Sequence, residues 1–234
     1  MQLRLLLALA VSSALGCGRG LAPDTEIGRA ASLSDTSSLR ALLKTGADPN
    51  LFDSQGLAPL HVAARLERLE ALDALIRAGA RVDLRDHRNG WTPLLHAVHK
   101  RRKAAALALL ETGADANEGM PLLMAAGYGE TALVRALLER GANPRARLAA
   151  GPAMTALWAA VGGGAIADIT DGPPFGTCFP DTVKALLERA PDLQLIEGAP
   201  MTKLVRALGR SEECREAFAL IERARATRRA AGRS

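Results

Sequence analysis

The sequence predicts an all-α array of stacked helix–turn–helix units, and three observations predict it. Hydrophobic residues make up 48% of the 234 positions but aromatics only 3%. The core must therefore be built from Leu, Ala, Val and Ile, which suits close-packed helices and starves a β-sandwich of its preferred residues. A Gly-Ala-Asp or Gly-Ala-Asn triplet recurs at Gly46, Gly113 and Gly141, with Gly79-Ala80-Arg81 as a variant, and successive glycines lie 33, 34 and 28 residues apart. Each triplet follows an apolar pair (Leu42-Leu43, Leu75-Ile76, Leu109-Leu110, Leu137-Leu138). An x-Pro-Leu element comes after the first three: Ala58-Pro59-Leu60, Thr92-Pro93-Leu94 and Met120-Pro121-Leu122. Thr155-Ala156-Leu157 is a degraded fourth copy.

The N-terminus comes before the array. Residues 1–16, "MQLRLLLALAVSSALG", combine Arg4 with an apolar run from Leu5 to Val11. That run falls short of the roughly 20 residues that span a bilayer, and the segment has the three-part form of a secretory signal. Ser13-Ala14-Leu15-Gly16-Cys17 resembles a bacterial lipobox. The resemblance implies that Cys17 is acylated and becomes the mature N-terminus. Gly18 after it favours a periplasm-facing outer-membrane anchor, by resemblance to enteric lipoproteins. The alternative is an ordinary cleavage site and a soluble periplasmic or secreted protein. Residues 17–29 read as the lipidated Cys and a short polar tether, because Gly and Pro interrupt any helical period.

The array follows over 30–224. Its first unit, about 30–53, has a worn first helix ("AASLSDTSS") and reads as a cap. "APLHVAARLERLEALDALIRAGARVDLRD" (58–86) and "TPLLHAVHKRRKAAALALLETGADAN" (92–117) are nearly complete units. These copies resemble the ankyrin repeat, whose period is about 33 residues. The resemblance implies a solenoid of helix–turn–helix units with short projecting β-turn fingers, about five to six units including worn caps. Pro at the first helical turn lacks an N–H that would be unpaired there anyway. Thr92 before Pro93 stabilises the entry turn. Ala63-Ala64 and Ala125-Ala126 let neighbouring helices approach, and Gly after the second helix takes a left-handed conformation. Each unit exposes apolar faces alone, so stability comes from stacking.

Departures from the pattern follow. The turn between Gly113 and Pro121 is short, so one finger is clipped. The fifth unit, "MTALWAAV" (154–161) and "DTVKALLERAPDLQL" (181–195), is split by a Gly- and Pro-rich insertion, 162–180, that carries Ile166, Ile169, Phe175 and Phe179. Such a loop is either functional or a lid folded onto the last helices. "MTKLVRALGRSEECREAFALIERA" (201–224) caps the array, and 225–234 reads as a frayed basic tail.

Catalytic chemistry is not legible. There is no Gly-x-Ser-x-Gly, phosphate-binding loop or His-Glu-x-x-His, and the acidic residues are not clustered as an acid–base pair. His61 occupies the position of the family's structural His. His96 and His99 have no acidic or Cys partner at ligand spacing, so neither metal nor cofactor is expected, and the chain reads as a non-enzyme. Once Cys17 is assigned to lipid, Cys178 and Cys214 remain. In an exported chain they either pair or stay as two thiols.

By the ankyrin resemblance, a partner contacts finger tips and the ends of the first helices along a concave groove. That nominates Ser54, Gln55 and Leu57 in one finger and His87, Arg88, Asn89 and Trp91 in the next. At helix ends it nominates Arg65, Leu66, His99, Lys100, Arg101 and Tyr128. An exposed Trp91 would be an anchor, the alternative being that it packs against the neighbouring finger; "HKRRK" (99–103) reads by default as a solvated loop, the alternative being that it steers an acidic partner. The net charge is +5, but the basic patch lacks interleaved aromatics, so nucleic acid is not the expected partner. The reading is a monomeric, membrane-anchored protein-binding module of the bacterial cell envelope. Its alternatives are an immunity- or inhibitor-type regulator that blocks another protein's active site, or an enzyme that uses the insertion.

Overall fold

The computed structural model describes residues 22–147, 155–163, 173, 176–195 and 211–231. The expected signal segment 1–16, Cys17, most of the 162–180 insertion and the start of the last unit lie outside the described residues. Among the described residues the chain is helical, with no strand, and no helix is long and apolar enough to cross a membrane. It divides into two compact units, one through Pro93 and one from Leu94.

The first unit holds α1 (Glu26–Ser32), α2 (Ser37–Lys44), α3 (Pro59–Leu66) and α4 (Leu69–Arg77). They form two hairpins: α1 packs on α2 and α3 on α4, while α1 also lies against α3 and α2 against α4. Ala31, Ala63 and Ala64 have no exposed surface, so the first helices of the two hairpins meet on small side chains. Leu39, Leu72 and Leu75 fill the layer between the second helices. α1 begins four residues before the 30–224 boundary read from the sequence and takes in residues 26–29 of the expected tether. Thr25 explains the start, because its hydroxyl accepts the Gly28 N–H at 3.1 Å and caps the helix.

The second unit holds most of α5 (Pro93–His99), then α6 (Lys103–Glu111), α7 (Pro121–Gly127), α8 (Thr131–Glu139), α9 (Ala156–Gly162), α10 (Pro180–Arg189) and α11 (Glu212–Ala231). Here α7 packs on α8 and α9, α8 on α6 and α10, and α10 on α9 and α11. α11 continues through residues 225–231, so the stretch read as a frayed tail is helical as far as Ala231. Its dipole favours Arg228 and Arg229 in the last turn.

The repeated triplet has a geometric cause. After each second helix the Gly takes positive φ, for example +91° at Gly79. The next N–H, from Ala, then reaches back to a Leu carbonyl: Ala47 to Leu42 at 3.0 Å, Ala80 to Leu75 at 2.9 Å, Ala114 to Leu109 at 3.0 Å and Ala142 to Leu137 at 2.9 Å. The Leu, Gly and Ala of the motif are thus one helix-ending bond pattern repeated four times.

Candidate functional site

Two fingers project from the first unit, and each is organised by an aspartate at its base. One Asp53 carboxylate oxygen accepts the N–H groups of Gln55 (2.9 Å) and Leu57 (2.8 Å). One Asp86 oxygen accepts those of Arg88 (2.9 Å), Asn89 (2.6 Å) and Gly90 (3.1 Å). Main-chain bonds close both loops, Asp53 N–H to the Leu57 carbonyl and Asp86 N–H to the Trp91 carbonyl, each 2.9 Å. The His87 N–H donates to the Gly56 carbonyl at 3.0 Å and joins the fingers. The His87 ring stacks on Phe52 with centroids 3.8 Å apart. Short side chains that bond their own backbone fix these turns.

His61 locks the second finger to α3. It is fully buried. Its Nδ1 accepts the Ala58 N–H at 3.1 Å, so Nε2 carries the proton and donates to the Leu84 carbonyl at 2.8 Å, with the Trp91 carbonyl at 3.2 Å. One imidazole thereby holds both arms of the loop that carries His87, Arg88 and Asn89.

The first finger also meets the chain's own N-terminal segment. The Ser54 N–H donates to the Asp24 carboxylate at 3.0 Å, and the Gln55 side-chain amide donates to the Ala22 carbonyl at 3.3 Å. For the first finger, Asp24 takes the role that the Gly56 carbonyl takes for the second. The Ser54 hydrogen bonds hold the Asp24 carboxyl below the ordinary carboxylate value.

The nominated residues divide by exposure. Ser54, His87, Arg88, Asn89, Leu66 and Arg101 are exposed, and Gln55, Arg65, Lys100 and Trp91 are half-buried. Three are corrections. Leu57 (5% exposed), His99 (6%) and Tyr128 (4%) are interior and offer no contact surface. Leu57 points inward because Asp53 turns the loop over it. The Tyr128 hydroxyl lies 3.2 Å from His99 Nδ1, so the two polar groups satisfy each other inside the second unit. Trp91 sits at the finger base, where Asp86 and His61 hold its carbonyl, and not at the tip. Arg101, also in the second unit, pairs with Glu130 at 2.8 Å and lies over the Tyr128 ring, 5.9 Å from its centroid. The basic run is therefore partly committed to its own unit. Among the described residues no group of three or more His, Cys, Asp or Glu side chains could hold a metal.

A second feature lies beside the insertion. Cys178 and Cys214 are joined by a disulfide across Cα atoms 4.9 Å apart, with a sequence separation of 36. The Phe179 N–H donates to the Ala160 carbonyl and the Gly176 N–H to the Gly162 carbonyl, both at 2.8 Å, so the end of the insertion returns along the end of α9. An open groove of about 640 Å³ lies there, and Cys178, Phe179, Asp181, Thr131 and Glu213 are among its lining residues. Hydrogen bonding from Ser211 holds Glu213 below the ordinary carboxylate value.

Comparison with known proteins agrees with this geometry. Residues 27–120 match a family profile described as "Ankyrin repeats (3 copies)", and residues 120–147 match "Ankyrin repeat". The chain is similar to the ankyrin repeat protein nuc-2 of Neurospora crassa, with 35% identity over 43% of this chain and 10% of that protein. It is similar to the B-cell lymphoma 3 protein homolog of Mus musculus, with 35% identity over 46% of this chain and 26% of that protein. It is also similar to protein PhlB of Serratia liquefaciens, with 40% identity over 33% of this chain and 34% of that protein. The chain spans well under two thirds of the length of each of these relatives. Ankyrin repeats account for residues 27–147, and the chain belongs to the ankyrin-repeat family.

Proposed function

We propose that this chain is an exported, lipid-anchored, non-enzymatic module that holds a protein partner in the bacterial cell envelope through the finger row of its first unit. One observation carries the reading. Ser54, His87, Arg88 and Asn89 are exposed on turns that Asp53, Asp86 and His61 already brace. A rigid backbone with exposed polar tips binds without a large ordering cost. Two features favour export. Residues 13–17 resemble a lipobox, and the Cys178–Cys214 bond is of the kind that persists in oxidising compartments. Family membership alone does not choose the partner, because ankyrin arrays serve unrelated surfaces.

The test is affinity capture from envelope extract with the mature chain beside a His87→Ala, Arg88→Glu double variant of unchanged melting temperature. A single protein retained by the wild type and lost with the variant supports the finger row. Equal retention by both overturns it. Loss of the captured protein's own activity would select the inhibitor-type role. The anchor is tested separately. Palmitate labelling of the expressed chain is expected and should vanish in Cys17→Ala; a labelled variant, or an unlabelled wild type, refutes lipidation at Cys17.

A further inference from the structure

We propose that Cys178 is a thiol-exchange site, and that its bond to Cys214 is a redox-released latch on α11. Three observations converge. The two cysteines are unequally placed: Cys178 lines the 640 Å³ groove, whereas Cys214 is not among its lining residues and has no exposed surface. The groove therefore gives an incoming thiolate an approach at the Cys178 end of the bond. Second, Cys214 is the third residue of the twenty-residue α11, and its N–H donates to the Ser211 hydroxyl at 3.3 Å. The N-terminal end of a helix favours a thiolate, although Glu212 and Glu213 in the same turn oppose it. Attack at Cys178 thus expels the sulfur at the helix terminus. Third, α11 buries few of its own side chains. Its buried residues are Cys214, Ala217 and Ile221, so the bond secures the end at which the helix would open.

The reductant is a protein or small molecule of the dithiol class. Its thiolate attacks Cys178 Sγ, the Cys178–Cys214 bond breaks, and Cys214 leaves as a thiolate that takes up a proton. The reductant's second thiol then attacks its own sulfur in the mixed disulfide and releases Cys178. The reductant departs as an internal disulfide, having given two electrons to the cysteine pair. Loss of the cross-link lets α11 open locally while the repeats stay folded. The inference does not depend on whether Cys17 carries lipid.

The experiment uses the oxidised full chain under native conditions and a thioredoxin-type reductant whose resolving cysteine is changed to serine, so that the mixed disulfide is trapped. Peptide mapping should find the adduct on Cys178. Hydrogen exchange after dithiothreitol should rise on the order of tenfold or more across 212–231 and stay unchanged across α7 and α8. An adduct on Cys214, no adduct without denaturant, or unchanged exchange in α11 would each overturn the proposal. Single variants give a second reading: Cys178→Ser and Cys214→Ser each lack the cross-link, so each should show the faster exchange across 212–231 without dithiothreitol. If either variant fails to fold, the wild-type trapping result decides.

Discussion

Asn50 grips the loop of the following repeat at two points. Its side-chain oxygen accepts the Arg81 N–H at 2.8 Å, and its amide donates to the Gly79 carbonyl at 3.3 Å. In the second unit Asn117 does the same, accepting from Asn143 N–H at 2.7 Å and donating to the Gly141 carbonyl at 3.2 Å. Only a side chain with a donor and an acceptor on one planar group can make both bonds. Asn50→Ala should therefore cost about 1–2 kcal/mol in urea unfolding, from two bonds of modest net value. Asn50→Asp keeps the acceptor and should cost less than Asn50→Ala at neutral pH. Equal midpoints for wild type and Asn50→Ala would mean that the clamp contributes nothing.

Asp24 makes the end of the finger row sensitive to acid. Hydrogen bonds from Ser54 lower its folded pKa below the unfolded value. The unfolded chain then binds the proton more readily, so this stabilisation is fully present above the unfolded pKa and is lost as pH falls through the folded one. Melting temperatures from about pH 6 down to about pH 2 should fall less steeply for Asp24→Asn than for wild type. Asp35, Glu188, Asp192 and Glu213 are lowered too and remain in the variant. Its acid limb should therefore flatten only in part, and identical limbs would dismiss the contact.

The hairpins were legible because local chemistry sets their ends. Pro59, Pro93 and Pro121 begin helices, and the Gly-Ala pairs end them, within the repeat itself. The site was less legible. Whether a loop residue is exposed depends on what the next repeat places beside it. Thus Tyr128 and His99, 29 positions apart, bury one another. The start of α1 is not legible because seven residues carry too little periodicity to read. Asp53 and Asp86, 33 positions apart, repeat at the finger bases in the sequence, and that spacing could have identified them as the braces.

Gly79 and Gly129 separate backbone strain from crowding. Both have positive φ, +91° and +70°. A Cβ on Gly79 would meet nothing within 4 Å, whereas one on Gly129 would lie 2.4 to 2.8 Å from the Phe179 ring. Gly79→Ala should cost about 1 kcal/mol, the left-handed penalty alone. Gly129→Ala adds a clash at the base of the ring and should cost about 2–4 kcal/mol. Adding Phe179→Ala to Gly129→Ala should recover part of that loss, since the clash disappears. Equal costs for the two alanine variants would rule out the Phe179 contact as the cause.

Arg101 adopts φ +56° although it is not glycine, and it also pairs with Glu130. Two substitutions divide these contributions. Arg101→Ala removes the ion pair and the contact with Tyr128 but keeps a Cβ in the left-handed region. The pair is substantially exposed, so that loss should be no more than about 1 kcal/mol. Arg101→Gly removes the same contacts and the backbone penalty together. The glycine variant should be the more stable of the two by about 1 kcal/mol, the reverse of the order in a helix interior. The difference in urea midpoint measures the backbone strain directly. An alanine variant as stable as the glycine variant would show that residue 101 leaves the left-handed region once its side chain is gone.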